Sequence, residues 1–363
     1  MEKKDKMIHS LRSSLQISVT INVLAALLIF GLITAWHFTG GPGWSPVKWW
    51  KSAFNTPEVP PLVRPDSSTQ AIARQLSLWE APGVGAMPQH PDSAALVEYG
   101  KDLIANTSKY LGPKGSVAAL TNGMNCQNCH LEAGTKSWGN NYGAVASTYP
   151  KFRERSGSIE SLPKRINDCM ERSLNGQPLS ENSREMKAMM SYIKWLGTGI
   201  PKGEVPNGSG IYSLPLLSRA ADPAKGAAIY AQKCLSCHGI DGHGVLAGDQ
   251  VSYTYPPLWG PNSYNSGAGL YRLSRLAGYI KYNMPFGVTW QNPQLSDEEC
   301  WDVAAFINSQ PRPAKDLSGD WPNLAGKPFD HPFGPYADGF SEKQHKYGPF
   351  EPIKDKLKAL KSK

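Results

Sequence analysis

Cysteine is scarce in this chain of 363 residues, which has six. Four of the six are taken up by two copies of one short run, Cys126-Gln127-Asn128-Cys129-His130 and Cys234-Leu235-Ser236-Cys237-His238. That arrangement argues against zinc. A structural zinc needs paired Cys-x-x-Cys units converging on one ion, and neither zinc nor a redox dithiol requires a His directly after each pair. A basic nucleic-acid-binding motif is also missing. The net charge of +8, from 38 Lys and Arg against 30 Asp and Glu, therefore does not point to nucleic acid. It suits anionic partners or substrates. The apolar run at residues 17–36 lacks the small-x-small site of a cleaved signal peptide, ending instead in Ala35-Trp36-His37-Phe38.

That run is about 20 residues long, enough to cross the ~30 Å of a bilayer core, whereas the apolar part of a signal peptide is usually about 7–15. Lys3, Lys4, Lys6 and Arg12 precede it, which puts the N-terminus in the cytoplasm. The expectation is a single N-terminal transmembrane helix in the inner membrane, with the remainder in the periplasm.

A Cys-x-x-Cys-His run is the attachment signature of c-type haem. The two thiols add to the haem vinyl groups, and the adjacent imidazole becomes an axial ligand to iron. Two copies predict two covalently bound haem c groups, attached through Cys126 and Cys129 and through Cys234 and Cys237, with His130 and His238 as iron ligands. Attachment of this kind takes place outside the inner membrane in bacteria, in agreement with the anchor. Gly (35) and Pro (30) are abundant, which suits small helical domains with long loops, where a cofactor replaces part of the core.

The flanking patterns repeat. Leu96, Tyr99, Leu103 and Ile104 have helical spacing ahead of the first motif, and Gly226, Ile229 and Tyr230 lie on a helix running into Cys234. Aligning Gly100 with Gly226 puts an insertion of 18 residues between helix and motif in the first copy. Downstream, Thr148-Tyr149-Pro150 matches Thr254-Tyr255-Pro256. Each copy closes with an amphipathic helix, 183–196 and 296–309, the second opened by a Ser296/Glu299 capping box. Helix, haem motif, loop, ligand and closing helix is the cytochrome c order, present twice. The chain thus reads as mainly α, with two cytochrome c-type domains in tandem. The divisions are 1–38, cytoplasmic end and anchor; 39–92, linker with a short helix near 69–79; 93–198, first domain; 199–222, linker; 223–312, second domain; and 313–363, an irregular tail wrapping the haem domains and ending in a solvated basic stretch.

Each iron has a second axial position. In the second domain Met284, in Asn283-Met284-Pro285-Phe286-Gly287, sits in a short loop before the last helix and is the expected thioether ligand. The first domain has instead a helix at 162–173. Ser161 caps it, Pro163 lies in its first turn, and Asn175-Gly176 ends it. On this helix Arg165 lies at i−4 from Cys169, Arg172 at i+3 and Ser173 at i+4, all on one face. A thiol flanked by two guanidiniums ionises readily, so Cys169 is the preferred ligand to the first iron. The residues alone leave open Met170, Met186, Met189 and Met190 as ligands, and leave open a buried thiol or a Cys169–Cys300 disulfide. Cys300 fits core filling, with Val303, Ala304 and Ile307 on the same helical face.

Two stretches carry a family likeness: Cys126-Gln127-Asn128-Cys129-His130-Leu131 with Ala133-Gly134-Thr135, and Arg165-Ile166-Asn167-Asp168-Cys169-Met170-Glu171-Arg172-Ser173 followed by Leu174-Asn175-Gly176. The sequence resembles the dihaem thiosulfate dehydrogenases over most of residues 79–353. The resemblance implies coupling of two thiosulfates to tetrathionate, or the reverse. It implies His130/Cys169 ligation at a catalytic haem, His238/Met284 ligation at an electron-transfer haem, and a sulfur adduct of the substrate on Cys169. The electrons would leave for a redox partner such as a small cytochrome or a membrane oxidase. The anchor departs from the soluble periplasmic form common among such enzymes. Thiosulfate is a dianion, and two dianions brought to about 4 Å repel by roughly 4 kcal/mol even in water. The cations expected to offset this are Arg165, Arg172 and Arg155. The competing readings are a membrane-anchored dihaem electron carrier without its own substrate, and another sulfur-compound enzyme using the same Cys-ligated haem.

Overall fold

The two cytochrome c units are each built on a crossed pair of helices. In this computed structural model, which describes residues 77–361, helix α1 (Pro91–Ala105) packs against the closing helix α4 (Arg184–Leu196). In the second unit α5 (Pro223–Lys233) packs against α7 (Asp297–Ser309) in the same way. One glycine sits at each crossing. A Cβ on Gly100 would lie 2.0 Å from the Ala188 carbonyl oxygen, and one on Gly226 would lie 1.9 Å from that of Asp302. The correspondence of the two glycines is thus physical: each lets two helix backbones touch. The 18-residue insertion is a short helix, α2 (Thr107–Leu111), and a loop folded back on it, with Leu120 and Thr121 N–H both donating to the Leu111 carbonyl.

Both closing helices are capped at their first turn. Ser183 accepts from Met186 N–H, and Ser296 and Glu299 form the reciprocal box at 3.1 and 2.8 Å. Between motif and closing helix, the first unit has a hairpin of β1 (Lys151–Arg153) and β2 (Ser158–Glu160), then helix α3 (Leu162–Arg172). The second unit has β3 (Val245–Leu246) paired with β4 (Tyr253–Tyr255), then α6 (Leu273–Asn283). Each unit has its own apolar core: Leu103, Ile104, Met186, Met189 and Leu196 in the first, Leu276, Trp301, Val303 and Ile307 in the second. Polar contacts join the two. Tyr279 of α6 donates to the Asn128 carbonyl at 3.0 Å, Asn283 to that of Trp138 at 3.0 Å, and Asn265 to that of Glu171 at 2.8 Å.

Several expectations are corrected. Trp79, placed in the linker by sequence, is buried in the first core, and residues 77–79 are not helical; the rest of the expected 69–79 helix lies outside the described residues. The 199–222 linker is packed rather than free, since Leu214 and Ala221 are buried in the second core and Trp301 donates to the Pro215 carbonyl. The end of the chain is not a solvated tail. It forms α8 (Glu342–Tyr347) and α9 (Glu351–Lys361), with Phe350, Ile353 and Leu357 buried in the second core. The anchor at 17–36 lies outside the described residues, among which no helix is long and apolar enough to cross a membrane.

Candidate active site in the first domain

Helix α3 carries the unusual residues, and its ends are firmly fixed. The Ser161 hydroxyl accepts from Lys164 N–H at its start. At its end Leu174 N–H donates to the Cys169 carbonyl and Gly176 N–H to that of Met170, with Asn175 left-handed at φ 44°. Ile166, Met170 and Leu174 turn into the first core. Together with Arg165, Cys169 and Ser173 they line a cleft that also contains Cys126, Cys129 and His130. The cleft holds a cavity of about 140 Å³ that opens to solvent. Apart from these groups its walls are largely apolar and include Ile104, Val145, Met189 and Ile193.

The residues fit a covalently attached haem. The His130 ring is held through Nδ1 by the Asn140 carbonyl at 2.5 Å and stacks on Tyr142, which leaves Nε2 free for a metal. Burial, followed by the Arg165 charge, lowers the His130 pKa to about 4 against the opposing Asn140 bond, so the ring is neutral as a ligand must be. In the second domain His238 Nδ1 meets the Pro256 carbonyl at 2.9 Å, and burial lowers its pKa too. Here the repeated Tyr-Pro pair separates into two roles. Pro256 orients His238, whereas Tyr149 lines the first cleft and Asn140 orients His130. The match of Thr148-Tyr149-Pro150 with Thr254-Tyr255-Pro256 therefore marks position and not function.

Cys169 is half-buried and free, and none of the six cysteines is in a disulfide, so the pairing with Cys300 is excluded. Cys300 is fully buried in the second core. Of the competing methionines, Met186 and Met190 do not line the cleft; Met170 and Met189 do, but both are core residues about 1% exposed. Met284 caps the C-terminal end of α6, its N–H donating to the Ile280 carbonyl.

The three arginines part company. Arg165 lines the cleft, and no carboxylate among the described residues lies within ion-pair distance of its guanidinium. The neighbouring Cys169 sulfur raises its pKa against the opposing effect of burial. Arg172 is the correction. It turns away from the cleft and is held by Asp320 of the tail in a two-pronged ion pair at 2.7 and 2.8 Å, because its place at i+3 faces the returning C-terminal segment. Arg155 stands between the hairpin strands, outside the cleft lining, with its guanidinium over the Trp321 ring at 5.9 Å. Burial, then repulsion by Arg172 and Arg165, lowers its pKa to about 10. Sequence reasoning passed over Asp320 and Trp321, since contacts across more than 140 residues leave no local pattern.

Residues 116–201 match the family described as SoxA/TsdA, cytochrome c domain, and residues 223–311 match cytochrome c. The thiosulfate dehydrogenase of Allochromatium vinosum is 43% identical over 196 residues, covering 53% of this chain and 71% of that protein. That of Stutzerimonas stutzeri is 38% identical over 231 residues, covering 62% and 72%. Among solved structures, the as-isolated thiosulfate dehydrogenase (TsdBA) of Marichromatium purpuratum superposes with a TM-score of 0.59 at 34% identity, over 66% of this chain. This chain spans 50% of that longer one. The two cytochrome c domains carry two covalent haem c groups. With a cysteine-bearing helix facing the first haem-attachment motif and relatives matched along most of their length, the chain belongs to the thiosulfate dehydrogenase family.

Proposed function

We propose that this protein oxidises thiosulfate, joining two molecules into tetrathionate with release of two electrons, and that the reaction takes place in the cleft of the first domain. The observation that carries the reading is that Cys169 and Arg165, whose guanidinium has no carboxylate partner among the described residues, line the same cleft as Cys126, Cys129 and His130. His130 and Cys169 would hold the first haem iron, and His238 and Met284 the second. When bound, each haem supplies one-electron redox chemistry, so the pair matches the two electrons released.

The cysteine and the cation divide the remaining work. The Cys169 thiolate bonds to the terminal sulfur of one thiosulfate, and that step gives up two electrons and leaves a Cys169–S–S–sulfonate. The terminal sulfur of a second thiosulfate attacks the outer sulfur of this adduct. The new S–S bond completes tetrathionate and returns the Cys169 thiolate, so atoms and charge balance. Arg165 offsets the dianionic charge beside Cys169, the role its lack of a carboxylate partner leaves it free to play. Arg155 adds a second, more distant cation. Arg172, neutralised by Asp320, contributes little to binding.

The electrons would pass to an external acceptor, such as a small cytochrome or a membrane oxidase. The apolar run 17–36, with its basic leading residues, supports an inner-membrane anchor with the catalytic part in the periplasm. The test is anaerobic mixing of oxidised holoprotein with thiosulfate while the haem bands are recorded. Rapid reduction, abolished in Cys169→Gly, is expected. No reduction, and no reoxidation of the reduced protein by tetrathionate, would leave a plain electron carrier.

A further inference from the structure

The segment Asp320-Trp321-Pro322 of the C-terminal tail shows three features that its distance from the cleft does not explain. Trp321 has φ 62°, a left-handed conformation that bulky residues rarely adopt and that persists where surrounding structure imposes it. It is 8% exposed, and its indole N–H has no partner among the described residues. The segment also closes on the hairpin tip. Trp321 N–H donates to the Arg155 carbonyl at 2.7 Å, and Pro322 lies so near Gly157 that a Cβ there would meet its Cγ at 2.6 Å.

These contacts act on two cations. Asp320 takes Arg172 through both terminal nitrogens, with each side chain nearly buried, at 11% and 12% exposure. Such a two-pronged pair is the strongest arrangement available to an arginine, and it leaves little charge for another anion. Arg155, one hairpin away, receives the opposite treatment. Its backbone is tied by Trp321 and its guanidinium lies over the indole, yet no carboxylate among the described residues pairs with it. A small space of about 10 Å³ beside it, lined by Arg272, Asp320, Tyr271 and His331, has room for about one water and no sulfur oxyanion. Arg155 therefore acts on an anion only from where the tail holds it. The hairpin that carries Arg155 runs from Tyr149, on the cleft wall, to Ser161, the cap of α3.

We propose that Asp320 and Trp321 are positioning residues of the sulfur-oxyanion site: Asp320 withdraws Arg172 from anion binding, and Trp321 fixes Arg155 as an unneutralised cation next to it. This rests on the anion-binding reading of the first cleft and extends it to the tail. The number of free cations is thereby set by a segment far away in sequence. Too few would leave two dianions unscreened, and too many would retain the dianionic product.

The experiment measures binding of sulfate, a dianion that cannot react, to oxidised holoprotein by calorimetry, alongside KM and kcat for thiosulfate. Asp320→Asn frees Arg172, so sulfate should bind about threefold tighter, with a steeper salt dependence. A residue needed only for folding would give the opposite sign. Trp321→Ala should weaken sulfate binding and raise KM by about tenfold, as should Arg155→Gln, and the double variant should be no worse than either alone. Trp321→Phe, which keeps a ring beneath the guanidinium, should restore near-normal binding. Weaker binding in Asp320→Asn, additive effects of Trp321→Ala and Arg155→Gln, or no sulfate binding by the unaltered protein would each overturn the proposal. If thiosulfate fails to reduce the unaltered protein, the proposed reaction is lost, while the sulfate comparison still decides whether the tail positions the cations.

Discussion

Alanine at Gly100 or Gly226 is the sharpest test of the paired architecture. In a free helix either change would stabilise by about 1 kcal/mol, the propensity difference between Gly and Ala. At these crossings the added Cβ would lie 2.0 Å from the Ala188 oxygen or 1.9 Å from the Asp302 oxygen, and 2.9 Å from the Cβ of Tyr192 or Phe306. Ordinary contact begins near 3.4 Å, and the atom in the way is backbone, which cannot rotate aside. The two helices must therefore separate by about 1.4 Å to reach ordinary contact, and a close-packed interface does not yield that distance without losing contacts along its length. Overpacking costs about 1–3 kcal/mol, and a backbone clash falls at or beyond the upper end, so after the propensity gain the net loss should be about 2 kcal/mol in each variant. Denaturant unfolding of the holoprotein, followed by far-UV dichroism, reads this directly. The two variants should also differ in activity. Gly100→Ala displaces α4, which brings Met189 and Ile193 to the cleft wall, and should slow thiosulfate-dependent reduction; Gly226→Ala leaves that wall untouched. A variant as stable as the parent would refute the claim that these glycines exist for helix contact.

Two further outcomes follow from single buried groups. Asp330, fully buried, takes Arg272 at 2.8 and 2.7 Å and the Ser274 N–H at 2.9 Å. Burial alone would raise its pKa, but Arg272 and the Ser274 bonds outweigh it and the net shift is downward. A carboxylate lowered in the folded state stabilises at neutral pH and loses that contribution as pH falls through its folded value, below the usual carboxylate range. Asp330→Asn should therefore cost about 3 kcal/mol near pH 7, measured by denaturant unfolding, and much less at a pH below both values; an equal loss at both would count against the ion pair. Tyr279→Phe, which removes the hydroxyl bonded to the Asn128 carbonyl, should lower stability by about 1 kcal/mol and speed amide hydrogen exchange around the first haem motif. Unchanged exchange there would mean that α6 is not docked through this bond.

What the sequence disclosed was local. The haem motifs, the caps Ser161 and Ser296, and the Arg165/Cys169/Ser173 face could be read because each depends on residues within one or two helical turns. The fate of Arg172 could not, since its i+3 position is compatible with the cleft and the deciding partner, Asp320, is distant in sequence. The repeated Tyr-Pro pair gives position but not role for a related reason: Pro256 orients His238, whereas His130 is oriented by Asn140. At the C-terminus the lysines concealed an apolar stripe. Phe350, Ile353 and Leu357 have the i, i+3, i+7 spacing of a helix face and are buried, so charge composition was the wrong guide there.

On the proposed reading, the two domains divide catalysis and electron transfer on one scaffold. The element just before the closing helix is α3 in one and α6 in the other. In α3 the candidate ligand Cys169 lies within the helix, so its neighbours at i−4 and i+4, Arg165 and Ser173, come to the cleft with it. A ligand borne on a helix face brings a substrate-facing surface along. In the second domain Met284 lies just past the end of α6, followed by Pro285, and no helix face accompanies it. The face of α6 is spent instead on the first domain, where Tyr279 and Asn283 bond to backbone carbonyls around the first haem motif. With Cys169 and Met284 as the proposed ligands, moving the ligand from the middle of the helix to its end frees the helix to join the two domains, and confines cation and thiol to the first site.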